Sequence, residues 1–306
     1  MRLVFVATGE IALPSFRHLL LHGPRPLALV TQPDKPAGRH MVPAPPAIKI
    51  EAAAAGIPVM QPALIGDSTA ELAALAPEVI VVMAYGQILR ENILRLPSLA
   101  IINLHASLLP RHRGAACIQA AIDAGDPESG ISSLHVVREL DAGDVILTKA
   151  IDIAYDETGA SLHDRLALLA PAVLAETLNR LAAGTAPRIP QDPALVTYVP
   201  KLLREDGRID WQQPATAIER RIRAYDPWPG TYTMTEEAGG LKRLKLLPHT
   251  RVLESGPPPG TLSIHDGRLV AGCGTGALEI RCVQPEGGRR MSAADYLRGR
   301  EPRKFC

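Results

Sequence analysis

The sequence predicts an α/β protein whose first domain has a mostly parallel sheet and whose second, smaller domain is built from β-strands. Three observations lead to this prediction. Short apolar runs alternate with helical stretches through the first 150 residues, a rhythm typical of parallel sheets. From residue 260 onward, β-like runs are separated by Gly and Asp turns, as in small barrels and sandwiches. The length of 306 residues fits two domains better than one.

The first domain is predicted to extend over residues 1–184. Its strands are expected in the β-rich runs 2–7, 27–31, 79–83, 99–103, 132–137 and 145–153. A long helix is expected over 161–183, with Ser161 as its N-cap and Gly184 as its end, because Leu and Ala recur at helical spacing between them. This helix closes the domain.

A linker and the second domain complete the chain. Residues 185–203 are rich in proline and polar residues and show little periodicity, which favours an extended linker. The second domain is placed at 204–306, with strands expected at 261–264, 268–271 and 277–283.

The composition is that of a soluble globular protein, with 46% hydrophobic, 4% aromatic and 21% charged residues. No apolar run approaches the roughly 20 residues that span a membrane. The apolar stretch at the N-terminus is too short and too lightly basic for a signal peptide. We therefore expect a cytoplasmic protein with no membrane partner.

The charge is distributed unevenly along the chain. Residues 1–200 carry 15 Lys and Arg against 19 Asp and Glu, whereas residues 201–306 carry 18 against 13. A basic second domain suggests a polyanionic partner. An ordinary solvated surface explains the same modest excess equally well.

Motifs for nucleotide cofactors are missing from the sequence. The turn after the first predicted strand reads Ala-Thr-Gly-Glu over 7–10 and lacks the three spaced glycines of a dinucleotide site. The Gly-x4-Gly-Lys-Ser/Thr pattern is also missing. Neither NAD nor ATP is expected.

The cysteines show neither close pairing nor metal-ligand spacing; they are Cys117, Cys273, Cys282 and Cys306. We expect reduced thiols and no metal. Cys117 lies near the candidate site described next, where a small buried hydrophobic residue is a better interpretation than a nucleophile.

An amide, an imidazole and a carboxylate form the candidate site. Asn103 and His105 follow the apolar run 99–102, and residues two apart on a strand point to the same face. An Asn amide can donate to the oxygen that gains charge in acyl transfer, a His can handle the proton, and Asp141 can orient the His. Spacing alone leaves open that Asn103 caps a strand end and His105 is an ordinary core residue.

Two further regions are candidates for ligand binding. Open parallel sheets bind ligands beyond the carboxyl ends of their strands, where Ala-Tyr-Gly falls at 84–86. The proline-rich loop 31–49 carries the polar or basic residues Lys35, Arg39, His40 and Lys49. Such a long loop is typically functional, although a stiff surface loop without a partner is the alternative.

The region around the candidate site resembles the formyltransferases that use 10-formyltetrahydrofolate. The segment 101–119 reads Ile-Ile-Asn-Leu-His-Ala-Ser-Leu-Leu-Pro-Arg-His-Arg-Gly-Ala-Ala-Cys-Ile-Gln, and Leu-Asp-Ala-Gly-Asp follows at 140–144. The resemblance covers nearly the whole chain, because it continues through 31–39, 81–89, 205–211, 222–230 and 291–297.

The resemblance implies a Rossmann-like first domain, an OB-like β-barrel as second domain and a monomeric, metal-free enzyme. It implies Asn103, His105 and Asp141 as the catalytic residues. Folate-binding residues are then expected at Ser107, Leu108, Leu109 and Pro110, with Tyr85 and Gly86 at the neighbouring strand end, and tRNA-binding residues at Lys35 and Arg39.

The acceptor implied by the resemblance is methionyl initiator tRNA, whose α-amine receives the formyl group for translation initiation. An amino sugar nucleotide is the alternative, because formyltransferases for those substrates share Asn-x-His, Leu-Leu-Pro and a Pro-Trp-Pro-Gly segment. The loop with Arg39 and the basic second domain favour tRNA, whose phosphates attract cations. A tRNA-binding module without catalysis is disfavoured, since all three catalytic positions are present.

Some positions depart from the family pattern. Ile11 stands where an aromatic residue is usual, His112 where Trp is usual and Cys117 where Pro is usual; after Arg39 the chain reads His-Met-Val instead of Gly and two lysines. Asp144 is a rival for the carboxylate role, and Asp141 is preferred because it directly follows the Leu of the family motif.

Overall fold

A computed structural model describes residues 1–37, 42–237, 240–300, 302 and 304–306. The chain divides into two compact units. The first comprises Met1–Cys117, Glu128–Ile151 and His163–Pro200, and the second comprises Ile118–Pro127, Asp152–Leu162 and Lys201–Cys306. The domain limits drawn from the sequence at 184 and 203 stay predictions.

The strands of the first unit are β1 (Leu3–Ala7), β2 (Ala28–Val30), β3 (Lys35–Ala37), β4 (Val42–Ala44), β5 (Val59–Met60), β6 (Val79–Met83), β7 (Ala100–His105), β8 (Arg113–Gly114), β9 (Glu128–His135), β10 (Val145–Asp152) and β11 (Tyr198–Val199). Seven of them form one sheet in the order β10-β9-β7-β6-β1-β2-β5. The pairs β1–β2, β1–β6, β2–β5 and β6–β7 are parallel, which confirms the predicted mostly parallel sheet. β9 runs antiparallel to β7.

The central strands are apolar because both of their faces are covered. Every residue of β1 and β6 is buried, as expected of parallel strands inside an α/β domain. β7 extends two residues beyond the predicted end and therefore contains both Asn103 and His105. Its register places Asn103 opposite Val82 of β6 and Leu134 of β9.

The helices are α1 (Leu13–His22), α2 (Ala47–Ala54), α3 (Thr69–Ala74), α4 (Glu91–Leu94), α5 (Cys117–Ala124), α6 (Gly159–Ala182), α7 (Ala215–Ala224) and α8 (Ala293–Gly299). The predicted long helix is α6, but it begins before Ser161. The Thr158 and Ser161 hydroxyls accept hydrogen bonds from each other's backbone N–H, at 3.1 and 2.9 Å, so Thr158 and not Ser161 caps the helix. Gly184 follows its end with φ +67°, as the sequence predicts.

The second unit contains β12 (Thr231–Glu237), β13 (Gly240–Leu246), β14 (Arg251–Leu253), β15 (Leu262–His265), β16 (Arg268–Gly272), β17 (Ala277–Ile280), β18 (Cys282–Pro285) and β19 (Met291–Ser292). They form two four-stranded sheets, β12-β13-β18-β19 and β14-β17-β16-β15, whose pairs are antiparallel. The single strand predicted over 277–283 is wrong, because β17 and β18 belong to different sheets. Trp211 and Phe305 stack inside the shared core.

The proline-rich loop contains a short hairpin, which the sequence does not predict. β3 and β4 pair antiparallel with Lys35 opposite Ala44 and Ala37 opposite Val42. Within the part of the chain that the structure describes, no helix has the length and apolar character needed to cross a membrane.

Candidate active site

Asn103 and His105 project from the end of β7 and meet Asp141, which lies 38 residues after Asn103. The Asn103 amide nitrogen donates to Asp141 Oδ1 at 3.2 Å. An amide nitrogen carries two hydrogens, so this bond orients the group while the second hydrogen can serve a bound oxygen. The structure thus brings together the amide and the carboxylate that the sequence places far apart.

The Asp141 carboxylate is held from two sides. Its Oδ2 accepts a hydrogen bond from the backbone N–H of Gly114 at 2.9 Å and lies 3.6 Å from His105 Nδ1. The distance to His105 is that of an ion pair and is longer than a hydrogen bond. Asp141 has φ +51°, a left-handed conformation that Asp tolerates better than most residues.

Both ring nitrogens of His105 face acceptors. Nε2 lies 3.0 Å from the carbonyl oxygen of His112, and Nδ1 faces Asp141. A neutral imidazole has one N–H, whereas the imidazolium ion has two, so the protonated ring matches its surroundings better. Burial opposes the charge, but the Cys117 sulfur, the Asp141 carboxylate and the His112 carbonyl together raise the pKa of His105 to about 9.

Asp144, the rival carboxylate, lies apart from this group. Its Oδ2 is 3.4 Å from Arg188 Nη1, and its backbone carbonyl accepts a hydrogen bond from the N–H of His135. The structure therefore places Asp141, and not Asp144, against Asn103 and His105.

The loop expected to bind folate follows β7 and is braced internally. The buried Ser107 hydroxyl donates to the carbonyl of Arg111 at 2.8 Å, and the Ser107 carbonyl accepts from the Ser132 hydroxyl at 2.7 Å. Ser132 Oγ also accepts the backbone N–H of Leu109. Ser107 therefore shapes the loop, and Leu108, Leu109 and Pro110 are the residues of the loop that remain partly exposed.

Tyr85 and Gly86 lie at the carboxyl end of the neighbouring strand β6. The Tyr85 ring packs in the apolar core, and burial raises the pKa of its phenol to about 12. The Tyr85 carbonyl accepts from Gln32 Nε2 at 3.2 Å, whereas Gly86 is exposed with φ +87°. At this strand end Gly86 is therefore exposed, whereas the Tyr85 phenol is buried.

Of the two residues expected to contact tRNA, Lys35 and Arg39, the structure describes only Lys35. Lys35 begins β3 and is exposed. Arg39 lies outside the described residues, as does His40. Lys49 forms an ion pair with Asp34, and Gln61 donates to the same carboxylate at 2.7 Å, so Lys49 braces its own loop.

Sequence reasoning missed three residues next to the carboxylate. Gly114 supplies the N–H that holds Asp141. Gln191 and Arg113 contact each other beside the Asp141 loop. Nothing in the local sequence points to Gln191, because it lies in the segment predicted to be a linker.

A steric restriction at Gly143 yields a stability prediction. A Cβ on this buried glycine would overlap the carbonyl oxygen of His135, a backbone atom of β9. We expect Gly143→Ala to lower the free energy of unfolding by about 1–3 kcal/mol, as for other overpacked sites. Urea denaturation measures this, with Gly299→Ala as the control because no atom lies within 4 Å of a Cβ there. Equal stability of the two variants would contradict the packing described.

The group of charges and donors suits acyl transfer. An amide N–H and a buried cation beside it can stabilise an oxyanion, which is usually the largest contribution to such catalysis. Across the described ranges, no group of three or more His, Cys, Asp or Glu side chains is arranged to hold a metal ion.

Two family models match this chain. The model described as formyl transferase matches residues 20–178, and the model described as formyl transferase, C-terminal domain, matches residues 201–301. A methionyl-tRNA formyltransferase of Akkermansia muciniphila is 48% identical, over 98% of this chain and 96% of that protein.

Solved structures share the fold at low sequence identity. An N-formyltransferase from Helicobacter canadensis, in complex with folinic acid and dTDP-3-aminofucose, has a TM-score of 0.65 at 14% identity, over 92% of this chain and 98% of that one. HypX from Aquifex aeolicus in complex with tetrahydrofolic acid has a TM-score of 0.59 at 20% identity, over 97% of this chain and 47% of that one.

Proposed function

The chain belongs to the formyl transferase family, and on that premise we propose that it transfers the formyl group of 10-formyltetrahydrofolate to the α-amine of methionyl initiator tRNA, for translation initiation. One structural observation supports this most strongly. Asn103, His105 and Asp141 converge at the end of β7, where an open sheet of this kind binds its ligands.

The choice of methionyl-tRNA as the acceptor rests on how much of the chain its relatives match. The relative named methionyl-tRNA formyltransferase matches nearly the full length of both proteins, second unit included. The amino sugar N-formyltransferase shares the fold at only 14% identity. The excess of 18 basic over 13 acidic residues in 201–306 also suits a polyanionic acceptor.

The reaction begins with the neutral α-amine, whose nitrogen attacks the formyl carbon carried on N10 of the folate. A tetrahedral centre forms, and the formyl oxygen becomes an oxyanion. Asn103 donates its second amide hydrogen to that oxygen, and the His105 cation lies beside it. When the bond from carbon to N10 breaks, the amine nitrogen loses one proton and N10 gains one, which leaves a formamide and tetrahydrofolate.

His105 acts in this scheme as a positive charge and not as the base. Its two ring nitrogens already face the His112 carbonyl and Asp141, so the ring has no free lone pair with which to take the proton of the amine. Asp141 Oδ2 stabilises the positive charge on His105, and Asp141 Oδ1 orients the Asn103 amide.

The binding residues complete the proposal. Leu108, Leu109, Pro110 and the main chain at Tyr85 and Gly86 line the folate, with Ser107 shaping the loop. Lys35 and Arg39 contact the acceptor end of the tRNA. The enzyme works as a monomer in the cytoplasm and needs no metal.

The pKa of His105 predicts the basic limb of the pH dependence. The imidazolium is the active form of His105. The ring is fully protonated well below pH 9, so kcat/KM should fall as the pH rises through about 9. On the acid side kcat/KM should rise with pH as the α-amine loses its proton, which for an ordinary α-amine happens at about pH 8.

Cys117 offers a test of this limb. Cys117→Ala removes the sulfur that raises the pKa of His105, so the basic limb should move to lower pH while the enzyme stays active. Cys273→Ala, a buried cysteine in the second unit, is the control and should leave the limb in place. A basic limb that is unchanged in Cys117→Ala would refute the contribution of the Cys117 sulfur to the pKa of His105.

An acceptor assay tests the proposed function. The purified protein is incubated with 10-formyltetrahydrofolate and either methionyl initiator tRNA or an amino sugar nucleotide, and the formylated product is quantified. We expect formyl-methionyl-tRNA and no formylated sugar. Formylation of the sugar alone would overturn the proposal.

A further inference from the structure

The segment 185–200, predicted to be a linker, packs on the candidate active site. β11 within it pairs parallel with β8, and Gln191 reaches the loop that carries Asp141. We propose that Gln191 is a positioning residue for formyl transfer, which holds Asp141 in the orientation that Asn103 and His105 require. This proposal rests on the proposed function.

The amide nitrogen of Gln191 fixes the backbone around Asp141. Nε2 donates to the carbonyl oxygens of Asp141 and Gly143, both at 2.8 Å. Those two bonds use both hydrogens of the amide. They hold a turn in which Asp141 has φ +51°, a conformation that costs an ordinary residue about 1–2 kcal/mol and needs such support.

The amide oxygen of Gln191 fixes β8, the strand that contains Arg113 and Gly114. Oε1 accepts from Arg113 Nη2 at 2.8 Å and from Nε at 3.0 Å. Arg113 is buried, and a buried guanidinium requires acceptors. The next residue, Gly114, supplies the N–H that binds Asp141 Oδ2. One side chain therefore ties together the main chain of Asp141 and the strand that supplies its backbone donor.

The same segment also supports the acceptor of His105. Thr197 accepts the backbone N–H of His112 on its hydroxyl at 2.8 Å and that of Arg113 on its carbonyl at 2.9 Å. The His112 carbonyl is the group that faces His105 Nε2. The segment thus anchors both partners of the His105 ring from outside the catalytic strand.

Loss of Gln191 should therefore act on turnover more than on binding. Small misplacements of a catalytic group, on the order of 1 Å, cost about a hundredfold in rate. Gln191→Ala removes all four hydrogen bonds. Gln191→Glu keeps an acceptor for Arg113 but sets carboxylate oxygen against two carbonyl oxygens. We expect kcat to fall at least tenfold in both variants, with KM for folate and tRNA within about twofold of the wild type.

The experiment measures kcat and KM for both substrates, and separately follows the titration of His105 by NMR in the absence of substrate. Gln191→Ala and Gln191→Glu are compared with Leu195→Ala and Leu195→Glu, which alter an exposed residue of the same segment. Thermal unfolding verifies that each variant is folded at the assay temperature. The pKa of His105 should fall in Gln191→Ala, which adds no charge, and stay unchanged in Leu195→Ala.

The outcomes separate this proposal from the proposed function. If the wild type formylates methionyl-tRNA and the Gln191 variants match its kcat and His105 titration, the positioning role is refuted. A loss confined to KM, or unfolding of both Gln191 variants, refutes it as well. If the wild type formylates neither acceptor, the proposed function fails, and the NMR titration still decides whether Gln191 positions Asp141.

Discussion

Asn103→Ala should lower kcat for formylation of methionyl-tRNA by about a hundredfold or more, which is the usual result of removing an oxyanion donor. In the proposed mechanism the side chain donates the hydrogen bond to the developing oxyanion, and alanine has nothing to replace it. Because the proposed hydrogen bond forms mainly in the transition state, KM should change little. Initial rates at saturating folate and tRNA measure the loss.

A matched variant tests whether the loss of turnover is specific to the amide at position 103. Asn92→Ala removes an exposed asparagine whose Nδ2 donates to Thr69 Oγ1 at 2.6 Å, away from β7. It should retain nearly full turnover. Turnover of Asn103→Ala within tenfold of the wild type, in protein that is folded by circular dichroism, would remove Asn103 from the mechanism.

Asp141→Asn should be about as damaging, with kcat lowered a hundredfold or more, as for the loss of other catalytic electrostatic groups. Asparagine is nearly isosteric and tolerates a left-handed backbone, so the turn at φ +51° should survive. The change removes the charge that faces His105 and leaves an oxygen for only one of the two N–H groups of Asn103 and Gly114. The pKa of His105 should fall with it.

Asp144→Asn is the control for that substitution. Asp144 lies three residues away and pairs with Arg188 at 3.4 Å, where both side chains are partly exposed, so its ion pair contributes little. It should keep kcat within a few fold of the wild type. If Asp144→Asn lost turnover and Asp141→Asn kept normal turnover, the assignment of the two carboxylates would be reversed.

The sequence predicts well the strand that carries Asn103 and His105, because its signal is local. An apolar run followed by Asn103 and His105 at a spacing of two is sufficient to place both side chains on one face at a strand end. The mostly parallel sheet follows similarly from the alternation of apolar runs and helices. The choice of Asp141, 38 residues from Asn103, depended on the family resemblance, because no local pattern ties a loop residue to a distant strand.

Other features could not be predicted, for related physical reasons. The run 277–283 reads as one strand, yet tertiary packing splits it between two sheets. Thr158 and Ser161 are both good capping residues, and only the hydrogen bonds decide between them. Gln191 is held by hydrogen bonds to backbone carbonyls and to Arg113, and such bonds leave no apolar pattern in the sequence.

The most direct measurement is a competition in one tube, with formyl-labelled 10-formyltetrahydrofolate and equal concentrations of methionyl initiator tRNA and an amino sugar nucleotide. The partition of label gives the ratio of kcat/KM for the two acceptors. We predict that the label appears in formyl-methionyl-tRNA, and that Asn103→Ala transfers about a hundredfold less under the same conditions. Label found only in the sugar, or transfer to tRNA that Asn103→Ala leaves unchanged, would contradict the proposed function or the proposed site.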